Sequence, residues 1–150
     1  MSGDFITNLL KVLHLFFIIM GVGGALGQFL LVRRFRQAHP SDAEASEKMA
    51  VVLARFLEVY GLLFALITGV LLAFKMEAFR NGYLHVKILL VLIVVGLSHM
   101  ELSNLKRMVA LRAAGKSSEA GQLKQKHLML TSVSLLLILV ITWLVVFKPF

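Results

Sequence analysis

The chain has 150 residues, 59% of them hydrophobic, no cysteine and a formal net charge of +8; its mean hydropathy is +0.86. A soluble domain is about half apolar, so the excess points to lipid as the solvent, and the missing cysteines exclude disulfides, thiolate metal sites and cysteine nucleophiles. The positive charge does not indicate nucleic acid, because it gathers in two connections between apolar spans, as the positive-inside rule describes.

The N-terminus lacks the pattern of a cleavable signal: no basic cluster precedes the apolar run, which is too long for an h-region. The first predicted span covers residues 5–32, with Lys11 and His14 near its start and the run Gly21-Val22-Gly23-Gly24-Ala25-Leu26-Gly27 in its middle. Those glycines predict close approach of a second backbone, with room for a flat ligand as the alternative. Arg33, Arg34 and Arg36 close the span, and a polar connection over residues 37–47 holds His39-Pro40 and Ser41, a helix-cap residue. The second span, residues 49–74, carries Arg55 and Glu58 three positions apart, a spacing that predicts pairing along one face.

After a short connection over 75–81 comes the third span, residues 83–102, which carries His85, Lys87 and His99 in a helix otherwise made for hydrocarbon. Ionisable groups at such depth are expensive unless paired or turned toward a polar cavity, so three in one span predict a site. His85 and His99 fall within roughly 40° of each other on a 3.6-residue helix, and Lys87 lies about 200° round from His85. The third connection, 103–127, holds Lys106, Arg107, Arg112, Lys116, Lys124 and Lys126 against Glu119, and is expected to be partly helical and to lie on the membrane surface. Residues 128–147 form the fourth span, uncharged, with Trp143 as an interfacial anchor.

The fold expected is a single all-α integral membrane domain over residues 1–150, a four-transmembrane-helix antiparallel bundle. Both basic connections then face the cytoplasm and both termini lie outside. This topology puts His14 and Lys87 in the outer half of the membrane and His99, Arg55 and Glu58 in the inner half, with Glu101 nearer the surface. A neutral imidazole inside an apolar bundle suits haem iron, and Arg or Lys suits the propionates; the alternative for His14 is a hydrogen bond to a neighbouring carbonyl. The first span has one histidine and the fourth none inside it, which favours one haem, or another flat ligand, over two haems per chain. His85 reads as interfacial, and His39 and His127 as solvated surface. Zinc, copper and triad chemistry find neither a His-x-x-x-His pair nor cysteine nor enough carboxylates inside the spans.

Leu10-Lys11-Val12-Leu13-His14, then Tyr83-Leu84-His85-Val86-Lys87-Ile88-Leu89-Leu90-Val91-Leu92 with His99 downstream, and the terminal Val146-Phe147-Lys148-Pro149-Phe150 resemble the HemJ-type protoporphyrinogen oxidases. That family has small bacterial membrane proteins that bind haem b and oxidise protoporphyrinogen IX, with CopD-like copper-resistance domains among its wider relatives. The resemblance implies residence in the bacterial cytoplasmic membrane, haem b as cofactor, His14 as haem ligand and Lys87 in haem or substrate handling. With Arg55 and His99 these make the candidate cofactor-binding set, and His14 and His99 the candidate iron ligands. A porphyrin substrate, a membrane electron acceptor and a homo-oligomer or larger complex are the implied partners. Phe29-Leu30-Leu31-Val32-Arg33-Arg34-Phe35 and Gln125-Lys126-His127-Leu128-Met129-Leu130-Thr131 depart from the family pattern. They keep open a non-catalytic accessory or scaffold subunit of a larger membrane complex.

Overall fold

The computed structural model describes residues 2–34 and 40–148, which are almost wholly helical. His39, Arg36 and the terminal Pro149-Phe150 lie outside the described residues, as does the side chain of Ser41. Helix α1 (Ser2–Arg34) is followed by α2 (Pro40–Leu53), a π-helical turn (Ala54–Val59) and α3 (Tyr60–Lys75), which run on as one rod. A 3-10 turn (Ala78–Arg80) leads into α4 (Gly82–Ala113), and α5 (Ser117–Phe147) completes the chain.

Local chemistry sets these boundaries. Pro40 opens α2, where its fixed φ suits the helix and its missing N–H is not needed. Glu77, in the left-handed region at φ 51, breaks the chain after α3. Asn81 is extended, so α4 starts afresh at Gly82. Between α4 and α5 the chain turns through Gly115 at φ 75, a conformation that glycine adopts without strain.

Two boundaries differ from the sequence expectation. Residues 103–127 are not a connection lying on a membrane surface: α4 continues to Ala113 and α5 starts at Ser117. This stretch is rich in strong helix formers, and Leu102, Leu105 and Met108 recur at three-residue spacing to pack with Val32, Ala50, Ala54 and Val59. The second rod likewise begins at Pro40 rather than near residue 49, because Ala43, Ser46, Glu47 and Ala50 give it a buried face. Arg112 donates through Nε and a terminal nitrogen to the two oxygens of Glu47, at 2.6 and 2.8 Å, fixing the start of α2 against the end of α4.

Neighbouring rods are antiparallel. His14 meets Thr68, Gly24 meets Glu58, and Glu101 meets Ser134, each pair running in opposite chain directions. The α1–α3 crossing is as close as the glycine run predicts. A Cβ on Gly61 would stand 2.5 Å from the backbone nitrogen of Gly21, and one on Gly24 would stand 2.4 Å from that of Glu58. Gly23, one residue away, faces open space. Among the described residues four stretches are long and apolar enough to cross a membrane, and 17–39% of the most apolar window in each is buried within the chain. Phe5, Phe16, Ile19, Phe74, Leu139 and Val146 are among the large side chains facing outward.

Candidate functional site

The bundle is asymmetric along its axis. One end, where α2 joins, is filled by the leucine and methionine core. The other holds a partly open cavity of about 350 Å³ lined from α1, α3, α4 and α5 by mostly apolar side chains, with His14 and Lys87 among them. His14 Nδ1 lies 2.8 Å from the carbonyl oxygen of Ala65 and 3.1 Å from Thr68 Oγ1. A carbonyl only accepts, so the hydrogen sits on Nδ1 and the Nε2 lone pair is left for another partner. Thr68 sends its own proton to the Phe64 carbonyl at 2.7 Å, and so can receive part of the His14 bond. Gly69 makes this possible: a Cβ there would stand 2.8 Å from His14 Cε1. The carbonyl bond weighed for His14 therefore exists, and it orients the ring rather than consuming it.

Lys87 is half-buried and lines the same cavity from α4. Among the described residues no carboxylate forms an ion pair with it. A half-buried ammonium without a carboxylate partner, beside an imidazole with a free lone pair and among apolar walls, suits an apolar ligand carrying an acid group.

The other sequence candidates do not join them. His99 is exposed on the outer face of α4, where its Nδ1 donates to the Val95 carbonyl at 2.8 Å; it neither lines the cavity nor pairs with Arg55 or Glu58. Its expected role as a second iron ligand is not met by this arrangement, and no group of three or more metal-binding side chains forms among the described residues. Arg55 is exposed and makes no ion pair with Glu58. The π turn holds one more residue per turn than an α-helix, and across it Arg55 faces outward while Glu58 faces the core. His85 shares the exposed face of α4 with His99. Of the three polar residues that marked this helix, only Lys87 faces inward.

A second constellation, which sequence reasoning did not assemble, lies between cavity and core. Gln28 of α1, Glu58 of the π turn, Glu101 of α4 and His127, Thr131 and Ser134 of α5 are all buried. Gln28 Nε2 donates to Glu58 at 3.1 Å and to Glu101 at 2.7 Å. Its carbonyl oxygen accepts from His127 Nε2 at 2.8 Å. Thr131 donates to Glu101 at 2.8 Å, and Ser134 donates to the other oxygen of the same carboxylate. His127 is thus fully buried rather than on a solvated surface, and its Nδ1 has no hydrogen-bond partner.

Comparison with known proteins gives no match, whether to a family model, a curated protein or a solved structure.

Proposed function

We propose that this chain is a multi-pass integral membrane protein that binds haem b, or a closely related porphyrin, in the four-helix cavity, and serves a redox role in the membrane. The observation that carries this reading is the pairing of His14 and Lys87 on one apolar cavity. Outward-facing Phe, Leu and Ile side chains along all the long helices support lipid as the surroundings. The basic ends, at Arg33-Arg34 and beside the turn at Gly115, face the cytoplasm of a bacterial cell under the positive-inside rule, with both termini outside.

The residues fit the group. The cavity falls within the 300–1,000 Å³ range of ligand sites, about its lower end. His14 offers a nitrogen whose partner N–H is tied to a carbonyl, the arrangement that fixes the ring of a ligating histidine. Lys87 offers an ammonium for a propionate. Leu15, Ile18, Val91 and Ile138 exclude water around the ligand. Bound haem supplies one-electron chemistry, tuned by its axial ligand. The substrate implied by the HemJ-type resemblance is protoporphyrinogen IX, with a membrane electron acceptor to complete turnover.

Purified protein, expressed with ample haem, is expected to show a Soret band that changes on reduction. His14→Ala should lose or weaken it. Lys87→Met should insert normally yet carry less haem per mole by pyridine haemochrome, with Lys87→Arg retaining part. A chain with no Soret band, failing to rescue a strain without protoporphyrinogen oxidase although well expressed, would instead be an accessory subunit.

A further inference from the structure

Two buried carboxyl groups, Glu58 and Glu101, share the side-chain amide of Gln28 inside this bundle, and no ion pair holds either of them among the described residues. The hydrogen-bond donors to the two groups are uncharged: Gln28, Thr131 and Ser134. Glu101 accepts three hydrogen bonds, from Gln28, Thr131 and Ser134, which is the environment of an ionised carboxylate. Glu58 accepts one, from Gln28.

His127 adds an independent observation. Gln28 gives both amide hydrogens to carboxyl oxygens, so its carbonyl can only accept, and His127 Nε2 must carry the hydrogen between them. The neutral ring then presents a bare lone pair at Nδ1, inside the protein and without a partner. Such an orphan is uncommon in buried groups.

We propose that Glu58, Glu101 and His127 form a buried proton-binding centre, with one proton shared by the two carboxyl groups that Gln28 bridges and His127 Nδ1 as the second place a proton can occupy. Moving the proton from carboxyl oxygen to Nδ1 leaves the net charge of the cluster unchanged, because an imidazolium then stands against two carboxylates. Gln28, bonded to all three residues, keeps them in register. Other charged groups on the packed elements are engaged or turned away. Arg112 is paired with Glu47; Arg55, His99, Lys106 and Arg107 are exposed; Lys124, one turn before His127, is buried and held by an interaction of its own. The centre does not depend on what fills the cavity, although Leu62, Val94 and Ile138 of the cavity wall are followed, about one helical turn along, by Glu58, Ser98 and Ser134.

The test is infrared spectroscopy of the reconstituted full chain, in sodium-free choline buffer at pH 7. The expected result is a carboxylic-acid C=O band equal to one protonated group per chain. It should shift on labelling with ¹³C-glutamate and be lost in Glu58→Gln and in Glu101→Gln. The labelled wild type decides the matter alone if a variant fails to fold. No such band in the labelled protein, or a band that survives both substitutions, overturns the proposal. Loss of the band on replacing choline by sodium at constant pH also overturns it, by making the occupant a metal cation.

Discussion

Replacing Gly24 by alanine tests how much of the bundle rests on the α1–α3 crossing. The new Cβ would lie 2.4 Å from the Glu58 nitrogen, 2.8 Å from Leu57 Cβ and 2.9 Å from Glu58 Cα. Ordinary contact needs roughly 1 Å more, and two of the three atoms are backbone, so no side-chain rotation relieves the clash and the rods must part. Overpacking of this kind costs about 1–3 kcal/mol, and with backbone on both sides the upper figure applies. That is a roughly 150-fold loss in the folding equilibrium constant. Gly23→Ala is the matched control: its Cβ meets nothing within 4 Å, so the ordinary helical gain of up to about 1 kcal/mol is expected. Unfolding by SDS in mixed micelles, followed through the fluorescence of the single tryptophan, Trp143, gives both numbers. If Gly24→Ala unfolds at the same SDS fraction as Gly23→Ala, the close crossing is not there.

Other substitutions probe other parts of the molecule. Arg112→Met leaves Glu47, whose side chain is 2% exposed, without its ion-pair partner and should cost about 3–5 kcal/mol; adding Glu47→Leu should restore most of it. Gly69→Ala places a methyl 2.8 Å from His14 Cε1, so the ring must leave the Ala65 carbonyl; the Soret band should weaken while the micellar unfolding midpoint stays near wild type. Gly96→Ala, with nothing within 4 Å, should leave the Soret band unchanged and raise the midpoint modestly, as Gly23→Ala does.

The number and order of long helices were legible in the sequence because apolar runs need no partner to be recognised. Their ends were not. Hydropathy falls where Lys106, Arg107 and Arg112 begin, but the backbone does not register that change, and Leu105 and Met108 continue the inward face among the charges. Lys87 and His14 were readable as polar groups at depth, and the structure brings them to one cavity. Glu58 was visible too, but the sequence suggested its neighbour Arg55 as partner, and only the π turn turns the two apart. Gln28, the hub of the buried network, was a legible signal that was passed over: an amide inside an apolar run. Its partners lie 30, 73 and 99 residues away, and no local pattern specifies such pairings.

Helices α4 and α5 have 32 and 31 residues, or about 47 Å at the usual rise. In the membrane placement proposed above, a bilayer's hydrocarbon would take about 30 Å of that, leaving roughly three turns at the basic end. Measured from Gly82, or back from Phe147, about 20 residues of hydrocarbon thickness end near Glu101 and Leu128. The exposed Lys106, Arg107 and Lys126 would then stand among the lipid headgroups, where each basic residue attracts anionic phospholipid by about 1 kcal/mol. In a thicker or thinner bilayer the waterline would slide along α4 and α5, because their projecting turns carry basic side chains outward and Leu105 and Met108 inward. Under that placement a change in thickness would be met by covering or uncovering these turns, and the bundle need not tilt as a hydrophobic stretch longer than the bilayer otherwise does.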